Sequence, residues 1–296
     1  MEKQFLLSCE STVDLPYAYV NGRGISVLFY VYTVDGTEYL DDMGRSEEAF
    51  KQFYDFLAHG KMPSTSQLNV YKYLDYFDGL LRQGKDVLHI AFGSGLTPSV
   101  HNAFAAADQL REKYPDRKLI VIDSLCACTG YGLLVDDAAD LRDQGKSMEE
   151  VRDWVMQNRG KVHHQFFSTD MKFFRRSGRV SGPAATVASV LNICPLMRLN
   201  NTGHIVAYDK VRGVKKTIQK TVEEIARHIQ DGPNYSGKCF ISHSNAPELA
   251  RQVQEALEEA VPGLKGRITV GNIGTIIVSH CGPGTVATFF WGDERR

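Results

Sequence analysis

The sequence predicts an α/β protein of two domains: an N-terminal domain built on a mostly parallel α/β sheet and a C-terminal α+β domain with a mixed sheet. Three observations predict it. At 296 residues the chain is long enough for two ordinary domains of roughly 150 residues each. From Phe5 to about Asn158, short apolar β-branched runs alternate with helical patterns, as in strands joined by helical crossovers. After His163-His164 the pattern changes, and Asn200-Asn201-Thr202-Gly203 gives a hairpin signal between two apolar runs. The boundary is expected near 165, giving domains 1–164 and 165–296.

The elements follow in order. Phe5-Leu6-Leu7 reads as a strand, and Ile25 to Val34 as one strong strand closed by the turn dipeptide Asp35-Gly36. Ser46 caps a helix to His59, with Glu47 and Glu48 at its positive end and Gly60 as its stop. A second helix is expected from near Ser66 to Gln83. Asp86 to Phe92 is a buried strand, followed by the small-residue loop Gly93-Ser94-Gly95-Leu96-Thr97 and a helix opened by Pro98, whose missing N–H costs nothing there. Lys118 to Asp123 is a strand, with helical stretches to Asn158. In the second half, Phe166 to Ser168 reads as a strand and Asp170 to Arg176 as a short helix ending at Gly178. Pro195–Leu199 and His204–Tyr208 form the hairpin, and Val214 to Gln230 a helix. Lys238 to Ser242 is a strand and Pro247 to Ala260 a helix. Strands are expected at Ile268–Val270, Thr275–Ser279 and Val286–Trp291.

Charge and composition exclude several function classes. Lys+Arg 34 against Asp+Glu 35 leaves a net charge of −1, which argues against binding driven by a nucleic-acid backbone. No apolar run approaches the ~20 residues that span a bilayer. Met1-Glu2-Lys3-Gln4 does not resemble a secretion signal, so a cytoplasmic location is expected, and with it six free, buried cysteines. No Cys-x-x-Cys or His-Glu-x-x-His pattern points to a metal site.

Four segments are candidates for chemistry. Pro63-Ser64-Thr65-Ser66-Gln67 places three hydroxyls before a helix, where they serve either as caps or as donors to an anion. Gly93 to Ser99 follows a buried strand, at the sheet edge where open α/β sheets bind ligands, yet matches no nucleotide loop and no nucleophile elbow. Its hydroxyls are Ser94, Thr97 and Ser99, of which Ser94 and Thr97 are the candidates. Ser279-His280-Cys281-Gly282-Pro283-Gly284 places a histidine at the end of an expected strand. His280 is a candidate donor or base, and a Cys281–His280 pair is disfavoured because strand neighbours point to opposite faces. Phe173-Phe174-Arg175-Arg176-Ser177-Gly178-Arg179 is either a solvated charge cluster or a site for a carboxylate or phosphate. The basic run Tyr208 to Lys216 could dock an acidic partner or a phosphorylated ligand.

Together these segments resemble the DegV family of bacterial fatty-acid-binding proteins. The resemblance rests on Glu10-Ser11-Thr12-Val13-Asp14-Leu15-Pro16, Thr65-Ser66-Gln67, Ser94-Gly95-Leu96-Thr97, Ser177 to Gly182, Leu191 to Pro195 with Gly203 to Arg212, and His280 with Gly282-Pro283-Gly284, in family order. It implies a two-domain DegV-like fold with no cofactor. A long-chain fatty acid would be the ligand, its carboxylate at the domain interface near Thr65, Thr97 and His280, with Ser66 and Ser94 close by. Tunnel candidates are Phe173, Phe174, Val187, Val190, Leu191, Phe289 and Phe290. Arg179 and Arg212 match positions tied to contact with a fatty-acid kinase, so the chain would be a carrier rather than a catalyst. Thr97 stands where the family carries serine, Pro98 where it carries glycine, Leu68 where proline follows Thr-Ser-Gln, and Glu10 where aspartate is usual. The alternative is a hydrolase or acyltransferase using Ser94 or Thr97 with His280.

Overall fold

The computed structural model describes residues 4–181 and 193–296. The buried run Phe5–Glu10 forms β1 and leads through α1 (Tyr17–Gly22) to β2 (Ile25–Leu28). Next come β3 (Val31–Val34), β4 (Thr37–Leu40), α2 (Glu47–Ala58), β5 (Ser64–Thr65), α3 (Val70–Leu81), β6 (Asp86–Ala91), α4 (Ser99–Lys113), β7 (Leu119–Asp123), α5 (Cys128–Asp143) and α6 (Met148–Asn158). Beyond them run β8 (Val162–Ser168), α7 (Lys172–Ser177), β9 (Val180–Ser181), β10 (Ile193–Leu199), β11 (Ile205–Arg212) and α8 (Val214–His228). The chain closes with β12 (Cys239–His243), α9 (Pro247–Ala260), β13 (Ile268–Asn272), α10 (Thr275–Cys281) and β14 (Thr285–Trp291).

The expected α/β architecture is present. Sheet β2-β1-β6-β7 is wholly parallel, and the sheet β13-β12-β14-β8-β10-β11-β9 mixes parallel and antiparallel pairs. A small antiparallel sheet, β4-β3-β5, was not expected. It corrects the single strand read over Ile25–Val34. The run breaks at Phe29-Tyr30, where the Tyr30 N–H donates to Ser11 Oγ at 3.1 Å, and β3 leaves the parallel sheet. β4 is largely exposed and has no apolar signature to find.

Two further elements differ from expectation. The helix read from Ser66 begins at Val70, capped by Asn69, whose side chain accepts from the Lys72 N–H. Ser64-Thr65 is instead drawn into pairing with β3. Thr275–Ser279, rich in β-branched residues, is helical rather than extended. Thr275 Oγ1 donates to Asp41 at 2.8 Å and Ser279 Oγ donates back to the Thr275 carbonyl at 2.8 Å. The helix packs on α7, β3 and β5, so tertiary context overrides local propensity.

The central strands of the mixed sheet, β12, β14, β8 and β10, are buried on both faces. Phe289 joins the main core, which also takes in the parallel sheet, whereas Phe290 belongs to a second core with Ile218 and Ile225 of α8 and Val253 and Leu257 of α9. Strand neighbours alternate sides, so a single step along β14 separates the two. Helix α5 lies between the sheets, against β8, β12 and β14, and is buried along most of its length.

Candidate ligand-binding site

Thr65 is placed by β5, opposite Tyr32 of β3. The following connection is pinned to the start of α4, because Leu68 N–H donates to Ser99 Oγ at 3.1 Å and Asn102 Nδ2 donates to the Leu68 carbonyl at 2.7 Å. Thr97 precedes that same helix, its Oγ1 3.2 Å from Ser99 Oγ. His280 arrives from the other half of the chain, on the last turn of α10, with Nε2 2.7 Å from Thr65 Oγ1. Arg176 of α7 fastens this junction. It donates to the carbonyls of Met62 at 3.3 Å and Ser279 at 3.3 Å, and also to that of Pro63.

These residues border a cavity of about 340 Å³. Its polar lining includes Thr65, Ser66, Gln67, Thr97, Arg179 and His280; its apolar lining includes Phe92, Phe166, Phe174, Leu199, Ile276 and Phe289. Burial, and then the charges of Arg179 and Arg176, push the His280 pKa down to about 4, so the imidazole is neutral at neutral pH. A neutral imidazole carries one N–H. With that proton on Nε2 it donates to Thr65 Oγ1, and the Thr65 hydroxyl proton is free to point at a ligand.

One wall depends on two glycines. A Cβ on Gly95 would lie 2.4 Å from the Gly203 carbonyl carbon, so the loop 93–97 and the β10–β11 turn touch backbone to backbone. Gly203 itself has φ +77°, which only glycine adopts readily. This contact fixes the hairpin that carries Leu199 and Ile205 into the cavity.

The structure brings together Thr65, Ser66, Thr97 and His280, with Arg179 beside them and Phe174 and Phe289 in the apolar lining. The others are placed elsewhere. Ser94 does not line the cavity, and its N–H donates to Asp123 at 3.0 Å. Phe173 packs against Gly282, and Phe290 turns to the opposite face of the sheet, stacked on His163 with centroids 5.2 Å apart. Arg212 is exposed at the end of β11, away from the cavity lining. Val187, Val190 and Leu191 lie outside the described residues.

His280 has Thr65 as its hydrogen-bond partner, and no bond among the described residues joins it to Ser94 or Thr97. The Cys281 thiol is pushed up to about 12, mainly by burial, so no thiolate is available there near neutral pH.

Sequence reasoning did not single out Arg176 or Thr12 within the segments it nominated. Arg176 stands in an arginine cluster whose members look alike until the fold selects one. Thr12 is buried, lines the cavity, and its Oγ1 has no hydrogen-bond partner among the described residues. Its place in the segment Glu10 to Pro16 was the only available signal.

The chain is similar to known proteins along nearly its whole length. A family model described as "Uncharacterised protein, DegV family" matches residues 6–293. A DegV domain-containing protein of Clostridium perfringens is 36% identical over 294 residues, covering 99% of each chain. Among solved structures, a DegV lipid binding protein from Thermotoga maritima aligns with a TM-score of 0.84 at 23% identity, over 99% of this chain and 100% of that one. The Fatty Acid Kinase (Fak) B3 protein of Streptococcus pneumoniae, loaded with linoleic acid, aligns with a TM-score of 0.81 at 22% identity, over 98% of this chain and 100% of that one. No helix among the described residues is long and apolar enough to cross a membrane.

Proposed function

This chain belongs to the DegV family, and from that premise we propose that it binds a long-chain fatty acid and presents it to a fatty-acid kinase in the cytoplasm, acting as a carrier rather than a catalyst. The observation that carries the proposal is the Thr65–His280 pair, 2.7 Å apart, at a cavity whose remaining walls are largely apolar. A carboxylate withdrawn from water needs several donors. Thr65, oriented by neutral His280, and Thr97 are the hydroxyl donors, and Arg179 supplies positive charge beside them. The acyl chain brings about 0.8 kcal/mol per buried methylene, on the order of 10 kcal/mol for a sixteen-carbon chain before ordering costs. Affinity therefore tracks chain length, while the hydroxyls set orientation. Residues 1–164 and 165–296 act as the two lobes that meet at the cavity. Exposed Arg212, together with Arg179, forms the kinase-facing side.

The test is mass spectrometry of freshly purified protein, native and then denatured and extracted. A fatty acid near one per chain is expected. Thr65→Val removes a hydrogen bond to a charged group and is expected to weaken retention about 10- to 100-fold, with folding unchanged. His280→Gln acts in the same direction. If both variants hold lipid as tightly as wild type, the head-group assignment is wrong.

A second expectation concerns protonation. The His280 pKa, about 4 against its ordinary 6.5, should rise when a carboxylate occupies the site, because a nearby negative charge favours imidazolium. In the ligand-free protein, His280 lowers stability as pH falls from 6.5 toward 4, since the unfolded chain takes up the proton first. Histidine NMR across a pH series, with and without fatty acid, measures the shift. An unchanged pKa would place the carboxylate elsewhere.

A further inference from the structure

On the far face of the mixed sheet from the cavity, three segments converge at the protein surface. His163 lies on β8, His228 on the last turn of α8, and Asp293 just after β14. His163 Nε2 is 3.1 Å from Asp293 Oδ1, and His228 Nδ1 is 2.9 Å from the same oxygen. One donor atom from each of the three residues falls within 4.8 Å of the others. The backbone holds them in place: Asp293 N–H donates to the His228 carbonyl at 3.1 Å, and Gly292 N–H to the Lys161 carbonyl at 2.9 Å. Gly292 is what permits this approach, since a Cβ there would lie 2.4 Å from the His228 carbonyl oxygen and 2.7 Å from His163 Cδ2.

His228 stands between two carboxylates. Its Nε2 is 3.4 Å from Glu224 Oε1, while Nδ1 faces Asp293. With the Nε2–H directed at Glu224, Nδ1 turns a lone pair toward a carboxylate that also offers only lone pairs. In that tautomer a cation, either a proton or a metal ion, lies between them; in the other, Nδ1–H itself donates to Asp293. A carboxylate behind a histidine is the usual device for orienting a metal-binding imidazole.

We propose that His163, His228 and Asp293 bind a divalent transition metal of the zinc type, with solvent completing the coordination. Two imidazoles and one carboxylate suit zinc. Donors in a tetrahedral zinc site at ~2.0–2.1 Å stand about 3.4 Å apart, so the two histidine–Asp293 pairs need to separate by only a few tenths of an ångström, and His163 Nε2 must exchange its 2.9 Å contact with the Asp293 backbone carbonyl for the metal. Side-chain exposures of 13% for His163, 21% for His228 and 51% for Asp293 leave a path from solvent. The other group of nearby potential ligands among the described residues, Asp136, Asp137 and Asp140, already holds Lys238, and Arg23 also pairs with Asp136 and Asp140. A bound metal would tie the C-terminal segment to β8 and α8.

The test uses untagged, full-length protein stripped with EDTA, titrated with Zn²⁺ by calorimetry and with Co²⁺ by visible absorption. One ion per chain is expected, at micromolar Kd or tighter, with a higher melting temperature. His228→Gln and Asp293→Asn should each weaken binding about tenfold or more. Histidine NMR on the wild type keeps the test independent of how the variants fold: Zn²⁺ should shift the imidazole signals of His163 and His228 and leave those of His164 and His280 in place. The proposal is overturned by failure to bind a stoichiometric ion, by variants that bind like wild type, or by His163 and His228 signals that Zn²⁺ does not move.

Discussion

Asp14→Asn is expected to stabilise the protein at alkaline pH. Both Asp14 carboxylate oxygens are buried, and no hydrogen bond of ordinary geometry reaches them among the described residues. Burial, and then the charge of Asp41, push the Asp14 pKa from 3.8 to about 8; the Cys128 thiol and the Gly274 backbone counter this only in part. The folded protein therefore holds a proton that the unfolded chain gives up near 3.8. The stability associated with the protonated group is fully present below pH 3.8 and is lost as pH rises through about 8. The limiting loss is about 6 kcal/mol, from 1.36 kcal/mol per pKa unit. Asparagine cannot ionise, is nearly isosteric, and tolerates the left-handed backbone at φ 50°. Its buried amide carries its own cost of about 1–3 kcal/mol at every pH, so the variant is expected to gain about 3 kcal/mol at pH 8 and to lose about 1–3 kcal/mol at pH 4. Denaturant unfolding of both proteins across that range checks it. Parallel stability curves would mean that Asp14 is not the group responsible.

Gly95→Ala is expected to destabilise the protein by about 3 kcal/mol or more and to lower fatty-acid retention together with stability. The added methyl would meet the Gly203–His204 peptide group: the Gly203 carbonyl carbon at 2.4 Å, its oxygen at 2.5 Å and the His204 nitrogen at 2.8 Å. None of these is the free end of a flexible side chain, so the hairpin itself must shift, and Leu199 and Ile205 shift with it. Gly79→Ala in α3 is the control. Nothing lies within 4 Å of its Cβ, and a helical Gly-to-Ala change typically stabilises by about 0.5–1 kcal/mol. Unfolding midpoints and lipid content of the two variants, measured side by side, separate the cases. Equal behaviour would show that the loop and hairpin are not held by this contact.

Much of the fold was legible because its signals are local. Helix α2 has its Ser46 cap and its Glu47 and Glu48 at the N-terminus, helix α9 starts at Pro247, and the turn at Asn200–Gly203 joins β10 and β11 as its composition demands. The failures share one cause. The segment Thr275–Cys281 has strand-forming residues but is helical because Asp41, far away in sequence, takes the Thr275 hydroxyl, and because α7 and β3 pack against it. Ile25–Val34 divides because the Ser11 hydroxyl takes the Tyr30 N–H.

The site shows the same division. Residue types and their order, Thr65-Ser66-Gln67 through His280, were sufficient by themselves to determine the family and to nominate the hydroxyls and the imidazole. That Thr65 and His280 meet, across 215 residues, was decided by β5 pairing with β3 and α10 packing beside it. That Phe289 faces the cavity while Phe290 does not was decided by the register of β14. Likewise, His163, His228 and Asp293 carry no spacing motif, and only the close approach at Gly292 brings them together. Local propensity and capping act over a few residues and are written in the sequence. A contact between distant segments is settled by which surfaces can be buried against each other, and that exists only once the chain has folded.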